Sequence, residues 1–261
     1  MKTNFKMLGA GLVMFGLLVV GGCGSDDVAT IPSSTGKVVK GPVSLATVTA
    51  ANGAKATTTS TGSYTVAGTG PFTSTGGWYR TVGSSVDVAA PDMKAPVGVT
   101  QVTPLSTLVQ VATEAVAAAA PGSAAATTAA ANLAALKATI NLTVDLSEKT
   151  TANAALLALN EAVGQAIATV NNNASSKSFV GALLTSLIAE VAKITPTTLS
   201  TSANVTTAIS AALTAAAVPA AVITQANSAA STAVTAVAAA LVGPLPTSTK
   251  TGTGGSGGSG F

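Results

Sequence analysis

The chain contains no histidine and a single cysteine, Cys23. Without imidazole, Ser-His-Asp and Cys-His nucleophilic chemistry and the common histidine-based metal sites are excluded, which leaves acid pairs or Ser-Lys acyl transfer. One Ser-Lys pattern is present in order: Ser34-Thr35-Gly36-Lys37, then Ser202-Ala203-Asn204, then Lys250-Thr251-Gly252. Here the first fragment runs from a polar stretch into a strand and the last lies in a glycine-rich segment. In a chain this rich in Ser, Thr and Gly, such matches arise by chance. The acids offer no better pair. Asp26 and Asp27 fall in a polar stretch, and Asp87 and Asp92 flank a loop with too few oxygens for calcium. Glu114, Glu161 and Glu190 fall on separate helices and read as solvent-face residues. "IPSSTGKV" lacks the first glycine of a phosphate-binding loop. The expectation is a protein without catalytic residues, metal or cofactor.

Cys23 has a different chemistry. Residues 1–22 form a secretion leader, with Lys2 and Lys6 ahead of "MLGAGLVMFGLLVV", an apolar run too short for an ordinary membrane span. Val20, Gly21 and Gly22 leading into Cys23 resemble the lipobox of bacterial lipoproteins. That resemblance implies diacylation of the Cys23 sulfur, cleavage before it, and an anchor held by about 0.8 kcal/mol per buried methylene. A cleaved leader with an incidental cysteine and an uncleaved anchor helix are the alternatives. Gly24 stands where lipoproteins kept at the inner membrane commonly carry Asp, so the same resemblance implies the outer membrane, with the cell surface favoured over the periplasmic face.

The elements that follow have an unusual composition. Apolar residues make up 48% of the chain, but charged residues only 8%, against about 25% in a typical globular domain. Lys2 and Lys6 belong to the leader, so the remainder carries 10 basic against 9 acidic residues. Nucleic-acid binding needs clustered basic charge and is not expected. With its one cysteine acylated the chain forms no disulfide, and its stability must come from packing.

Residues 23–36 comprise Cys23 and a small, polar, proline-containing tether. Residues 37–102 carry strand signals: Val38, Val43, Leu45 and Val48 among small polar residues, alternation around Tyr64 and Val66, and a turn at Asn52-Gly53. "KGPVSLATVTAANGAKATTTSTGSYTV" resembles the transthyretin-like, carboxypeptidase-regulatory-like β-sandwich through Lys40, Gly41, Pro42, Val43, Ala46, Val48, Gly62 and Tyr64. Leu45 replaces a glycine of that pattern. "TGGWYRTVGSSVDV" followed by "VTPLSTLV" is similar to the arrangement in exported lipoproteins whose sandwich passes through a Thr-Pro-Leu-Ser/Thr-Thr-Leu motif into helices. The resemblance covers roughly residues 37–110 and implies a binding or structural module without catalytic residues.

Residues 103–243 read as an alanine-rich bundle of five or six helices. Thr103 caps the first, Pro104 takes its first position, and Leu105, Leu108, Val109, Ala112 and Val116 give its apolar face. Pro121-Gly122 ends it. The next carries Leu133, Leu136 and Ile140, with Ser147 as a cap for the helix of Leu156, Leu159, Val163, Ile167 and Val170. Val180 to Ile194, Val205 to Leu213 and Val222 to Leu241 complete the set, with Pro219 between the last two. Residues 244–261 read as a flexible Gly/Ser/Thr tail. The predicted fold class is therefore α+β: a small prealbumin-like antiparallel β-sandwich followed by an alanine-rich helical bundle.

Aromatic residues are only 3% of the chain, which singles out Trp78 and Tyr79 in a stretch that reads as loop. Either Trp78 plugs the sandwich core, or the pair forms an exposed contact for a glycan or a protein. The functional expectation is a lipid-anchored surface binding or adhesion module. A self-associating subunit of a surface layer, fibre or envelope complex, and a periplasmic assembly factor for another envelope protein, are the alternatives.

Overall fold

A computed structural model describes residues 31–250. Val20, Gly21, Gly22, Cys23 and the last Gly/Ser run lie outside the described residues. The architecture is mixed α+β, with small sheets in the first part and helices in the second.

The strands are β1 (Ser33–Val38), β2 (Thr47–Thr49), β3 (Lys55–Thr57), β4 (Ser63–Ala67), β5 (Phe72–Thr75), β6 (Trp78–Arg80), β7 (Asp87–Ala89), β8 (Met93–Ala95) and β9 (Gln101–Val102). One sheet has the order β4-β1-β9, a second β3-β2-β5-β8, and β6 and β7 pair as a hairpin. Strand alternation sends Tyr64 and Val66 of β4 inward while Thr65 faces out. Tyr64 and Val66 join Val38, Val48, Phe72, Met93 and Val102 in one apolar cluster fed by both larger sheets. The Tyr64 ring meets Phe72 edge-on at 5.8 Å, and its hydroxyl donates to the Thr100 carbonyl at 2.8 Å. Burial pushes the Tyr64 phenol well above its usual range.

Asn52-Gly53 makes the expected turn: Gly53 has φ +84°, and Asn52 Oδ1 accepts from the Ala54 amide at 3.1 Å. Leu45 adopts φ +60°, a left-handed conformation natural to glycine and costing a larger residue about 1 kcal/mol.

The helices are α1 (Pro104–Ala118), α2 (Ala124–Thr139), α3 (Ala154–Asn172), α4 (Val180–Val191), α5 (Ser202–Ala215) and α6 (Ala220–Ala239). The Thr-Pro-Leu-Ser-Thr stretch builds the junction. Thr103 Oγ1 accepts from the Ser106 amide at 2.9 Å, and Ser106 Oγ accepts from the Thr103 amide at 2.8 Å, a capping box closed behind Pro104. The same hydroxyls dock the helix on β8. Ser106 Oγ donates to the Lys94 carbonyl at 2.6 Å, and Thr107 Oγ1 accepts from the Lys94 amide at 2.8 Å, so both backbone groups of Lys94 are satisfied at a sheet edge. Ser147 does not cap α3. Asn153 occupies that position, and Ser147 Oγ instead accepts from Lys37 Nζ at 2.7 Å.

α3 is buried over most of its circumference, with one half-buried stripe through Ala158, Gln165 and Thr169, as expected of a central helix. Its long contact is with α6, where Ala226, Ala230 and Ala233 are buried and their small side chains let the backbones approach closely. α2 differs: its only buried residues are Leu136 and Thr139. Two-residue strands β10 (Glu148–Lys149) and β11 (Gly243–Pro244) then bring the chain end back, and Lys149 Nζ donates to the Ala238 and Ala240 carbonyls at the end of α6. The expected loose tail does not describe residues 245–249: Leu245 and Ser248 are buried, and Thr249 binds the β6–β7 hairpin.

Candidate functional site

Chemistry gathers on the two sides of β6. Successive side chains of a strand point to opposite faces, so Trp78 and Tyr79 part company. Trp78 is 37% exposed, with Lys250 Nζ 5.1 Å from its ring centre. Tyr79 is wholly buried and joins the β core, so the two rings do not form one exposed contact. The stretch is a strand rather than a loop, and Tyr79 takes the core-plugging role considered for Trp78.

On the outer side Arg80 faces Asp87 across the hairpin, and their side chains meet at 3.3 Å. Thr249 closes the group: its hydroxyl donates to Asp87 Oδ2 at 2.8 Å and accepts from Arg80 Nη2 at 2.9 Å, while its amide donates to Asp87 Oδ2 at 3.2 Å. Desolvation would raise the Asp87 carboxyl, but the Thr249 hydroxyl and the Arg80 guanidinium outweigh it and hold the group below its usual range. The segment ending at Lys250 therefore runs beside Trp78 as a polar strap.

On the inner side lies a cluster that the sequence did not single out. The bridge between Val39 and Pro42 makes Lys40 and Gly41 the tip of a two-residue turn. Val38 enters the β core and Val39 the helical core, so this turn lies between the two. Lys40 is fully buried, with Nζ 4.1 Å from the centre of the Tyr79 ring, within cation-π range. Glu161 of α3, expected on a solvent face, is also fully buried, and its Oε2 is 3.9 Å from Lys40 Nζ. Neither Glu161 oxygen, nor Lys40 Nζ, nor the Tyr79 hydroxyl has a hydrogen-bond partner. Desolvation drives the Glu161 carboxyl up, opposed by the Lys40 charge and the Gly41 amide facing it.

Two glycines and an asparagine shape the cluster. A Cβ on Gly164 would collide with Cε of Lys40, and at Gly41, where φ is +65°, a Cβ would lie 2.6 Å from the Arg80 carbonyl. Asn160, beside Glu161, accepts from the Leu105 amide at 3.4 Å and donates to the Val39 carbonyl at 3.5 Å, linking α1 and the β1 end to α3. In sequence, the signal for these polar residues was α3 itself. Leu, Val, Ile and Ala dominate α3 and its part-exposed stripe is narrow, so Asn160, Glu161 and Gly164 are buried with the apolar residues around them.

Elsewhere, Lys37 reaches Asp145 at 2.9 Å beside an open groove of about 520 Å³ lined by Thr35, Thr100, Gln101 and Leu142. Despite the desolvation that opposes it, hydrogen bonds from Ser147 and the Lys37 charge hold Asp145 down at about 2. The three Ser-Lys fragments occupy separate places. Lys37 is engaged by Asp145, Ser202 opens α5 and Lys250 lies over Trp78. Among the described residues no group of three or more acidic, Cys or His side chains is arranged to hold a metal. The chain matches no protein-family model, no curated protein and no solved structure.

Proposed function

We propose that the protein is a non-catalytic, lipid-anchored module of the bacterial outer membrane that binds a glycan or protein through the face around Trp78. The observation that carries this reading is the leader running through Val20, Gly21 and Gly22 into Cys23. Among the described residues no helix is long and apolar enough to cross a membrane. On this account the acylated Cys23 supplies the attachment. The transthyretin-like resemblance of residues 37–110 supports a binding role, and the half-open indole of Trp78 beside Lys250 supplies an apolar face with a cation for a polar partner.

Membrane fractionation of cells expressing the native chain and Cys23→Ala tests the anchor. The native protein is expected in the outer-membrane fraction with an amino-terminal peptide that begins at an acylated Cys23, and Cys23→Ala is expected to lose that lipidated peptide and the outer-membrane location. A native protein whose Cys23 carries no acyl chain refutes lipidation there.

The structural-subunit alternative has its own support. Leu241 and Val242, just past α6, are 90% and 63% exposed, an apolar step suited to contact with a second copy.

A further inference from the structure

The Lys40-Glu161 pair is poorly explained as an ordinary buried ion pair. Such a pair offsets its desolvation only when the geometry is close and every remaining lone pair and proton is satisfied. Here the atoms stand 3.9 Å apart, both side chains have no exposure, and neither carries a hydrogen bond. The surroundings nevertheless hold the two groups toward each other with unusual care. The Tyr79 ring supports the ammonium from one side, and the missing side chain of Gly164 leaves the channel in which the Lys40 stem lies. The Gly41 amide faces the carboxylate.

We propose that Lys40 and Glu161 become joined by a side-chain amide between Nζ and Cδ, covalently stitching the turn after β1 to the central helix α3. The chemistry is a condensation and needs no oxidant, reductant or cofactor. In a fully buried site that disfavours charge, the ammonium proton moves to the carboxylate, giving a neutral amine and a neutral acid. The Nζ lone pair attacks Cδ and the carbonyl electrons move onto oxygen, where the Gly41 amide is placed to donate to the developing charge. The Nζ–Cδ bond forms and the Cδ–OH bond breaks. The leaving hydroxyl takes a proton from nitrogen and departs as water. Burial favours the protonated acid that this attack requires.

Confinement accelerates the step. Well-oriented neighbours react as though present at effective concentrations of about 10⁵ M or more once the reacting atoms reach about 3–3.5 Å, and Nζ already stands 3.9 Å from Oε2 of the carboxyl it would attack. The product replaces two buried ionisable groups by one neutral amide. For an exported chain with one cysteine, it would be a cross-link independent of disulfide chemistry.

Peptide mapping of the folded, full-length protein tests this directly. Trypsin should fail to cut after Lys40, and residues 38–55 should appear joined to residues 150–177 in a species lighter than the sum of the two by one water. Fragmentation should place the link at Lys40 and Glu161. In Glu161→Ala the linked species should be lost and cleavage after Lys40 restored. The inference is overturned if the native protein yields free residues 38–40 and an unlinked 150–177, or if the linked species has lost ammonia and maps to Asn160. The native digest decides the matter even if the variant fails to fold.

Discussion

Trp78 and Tyr79 are adjacent on β6 and their rings face opposite ways: Trp78 outward beside Lys250, Tyr79 inward beneath Lys40. Their substitutions should therefore separate binding from stability. Tyr79→Ala empties a fully buried site and is expected to cost about 3–5 kcal/mol, whereas Trp78→Ala should stay within about 1 kcal/mol of the native protein. Denaturant unfolding of the two variants checks this. Equal losses would mean that Trp78 is a packing residue.

Gly164 gives a sharper test of how tightly α3 is fitted to the turn after β1. Gly164→Ala places a methyl group against the Lys40 stem and Pro104. Overpacking of this kind costs about 1–3 kcal/mol, more than the helix propensity that alanine restores. A thermal melt showing a variant as stable as the native protein would show that the cluster has room to spare.

The capping box at the junction predicts a smaller, coupled effect. Thr103→Ala should cost about 1 kcal/mol. Ser106→Ala should cost more, because it also removes the bond to the Lys94 carbonyl. Since each hydroxyl caps the other's backbone, the double variant should lose less than the sum of the singles. Strict additivity in denaturant unfolding would mean that the two hydroxyls act independently.

The junction was legible before the structure because its signals are local. Thr103-Pro104 and Asn52-Gly53 fix backbone geometry within a few residues, and the three-and-four spacing of Leu156, Leu159, Val163 and Ile167 sets a helix whatever surrounds it. Glu161 was misread because exposure is not local. A carboxylate on a helix is ordinarily solvated, and its burial here follows from α3 being enclosed by α1, α4, α5 and α6. Tyr79 was misplaced for a similar reason, since a strand of three residues gives too short an alternation to distinguish from a loop. The engagement of Thr249 by Arg80 and Asp87 joins residues more than 160 positions apart, and nothing in a Ser/Thr-rich segment marks the one threonine that docks.

That docking predicts an acid-sensitive strap. Asp87 has its folded value held below the ordinary 3.8, so its contribution is complete above that value and is lost as the pH falls through the lowered one. Thr249 should then detach and Lys250 should leave the indole. Trp78 is the only tryptophan, so its emission reports the event. A shift is expected in strong acid, and Asp87→Asn should reproduce it at neutral pH. Unchanged emission in that variant would show that the strap is held by other contacts.

Should the exposed apolar step at Leu241 and Val242 mediate self-association, light scattering of the protein lacking its leader should show oligomers growing with concentration, reduced by Leu241→Ser. A strict monomer at high concentration rules out the structural-subunit reading.

Surface display of a lipid-anchored body is the central claim, and protease treatment of intact cells tests it most directly. The account predicts that external protease digests the protein while periplasmic markers stay whole. Protection until the outer membrane is broken would contradict it and place the Trp78 face inside the envelope.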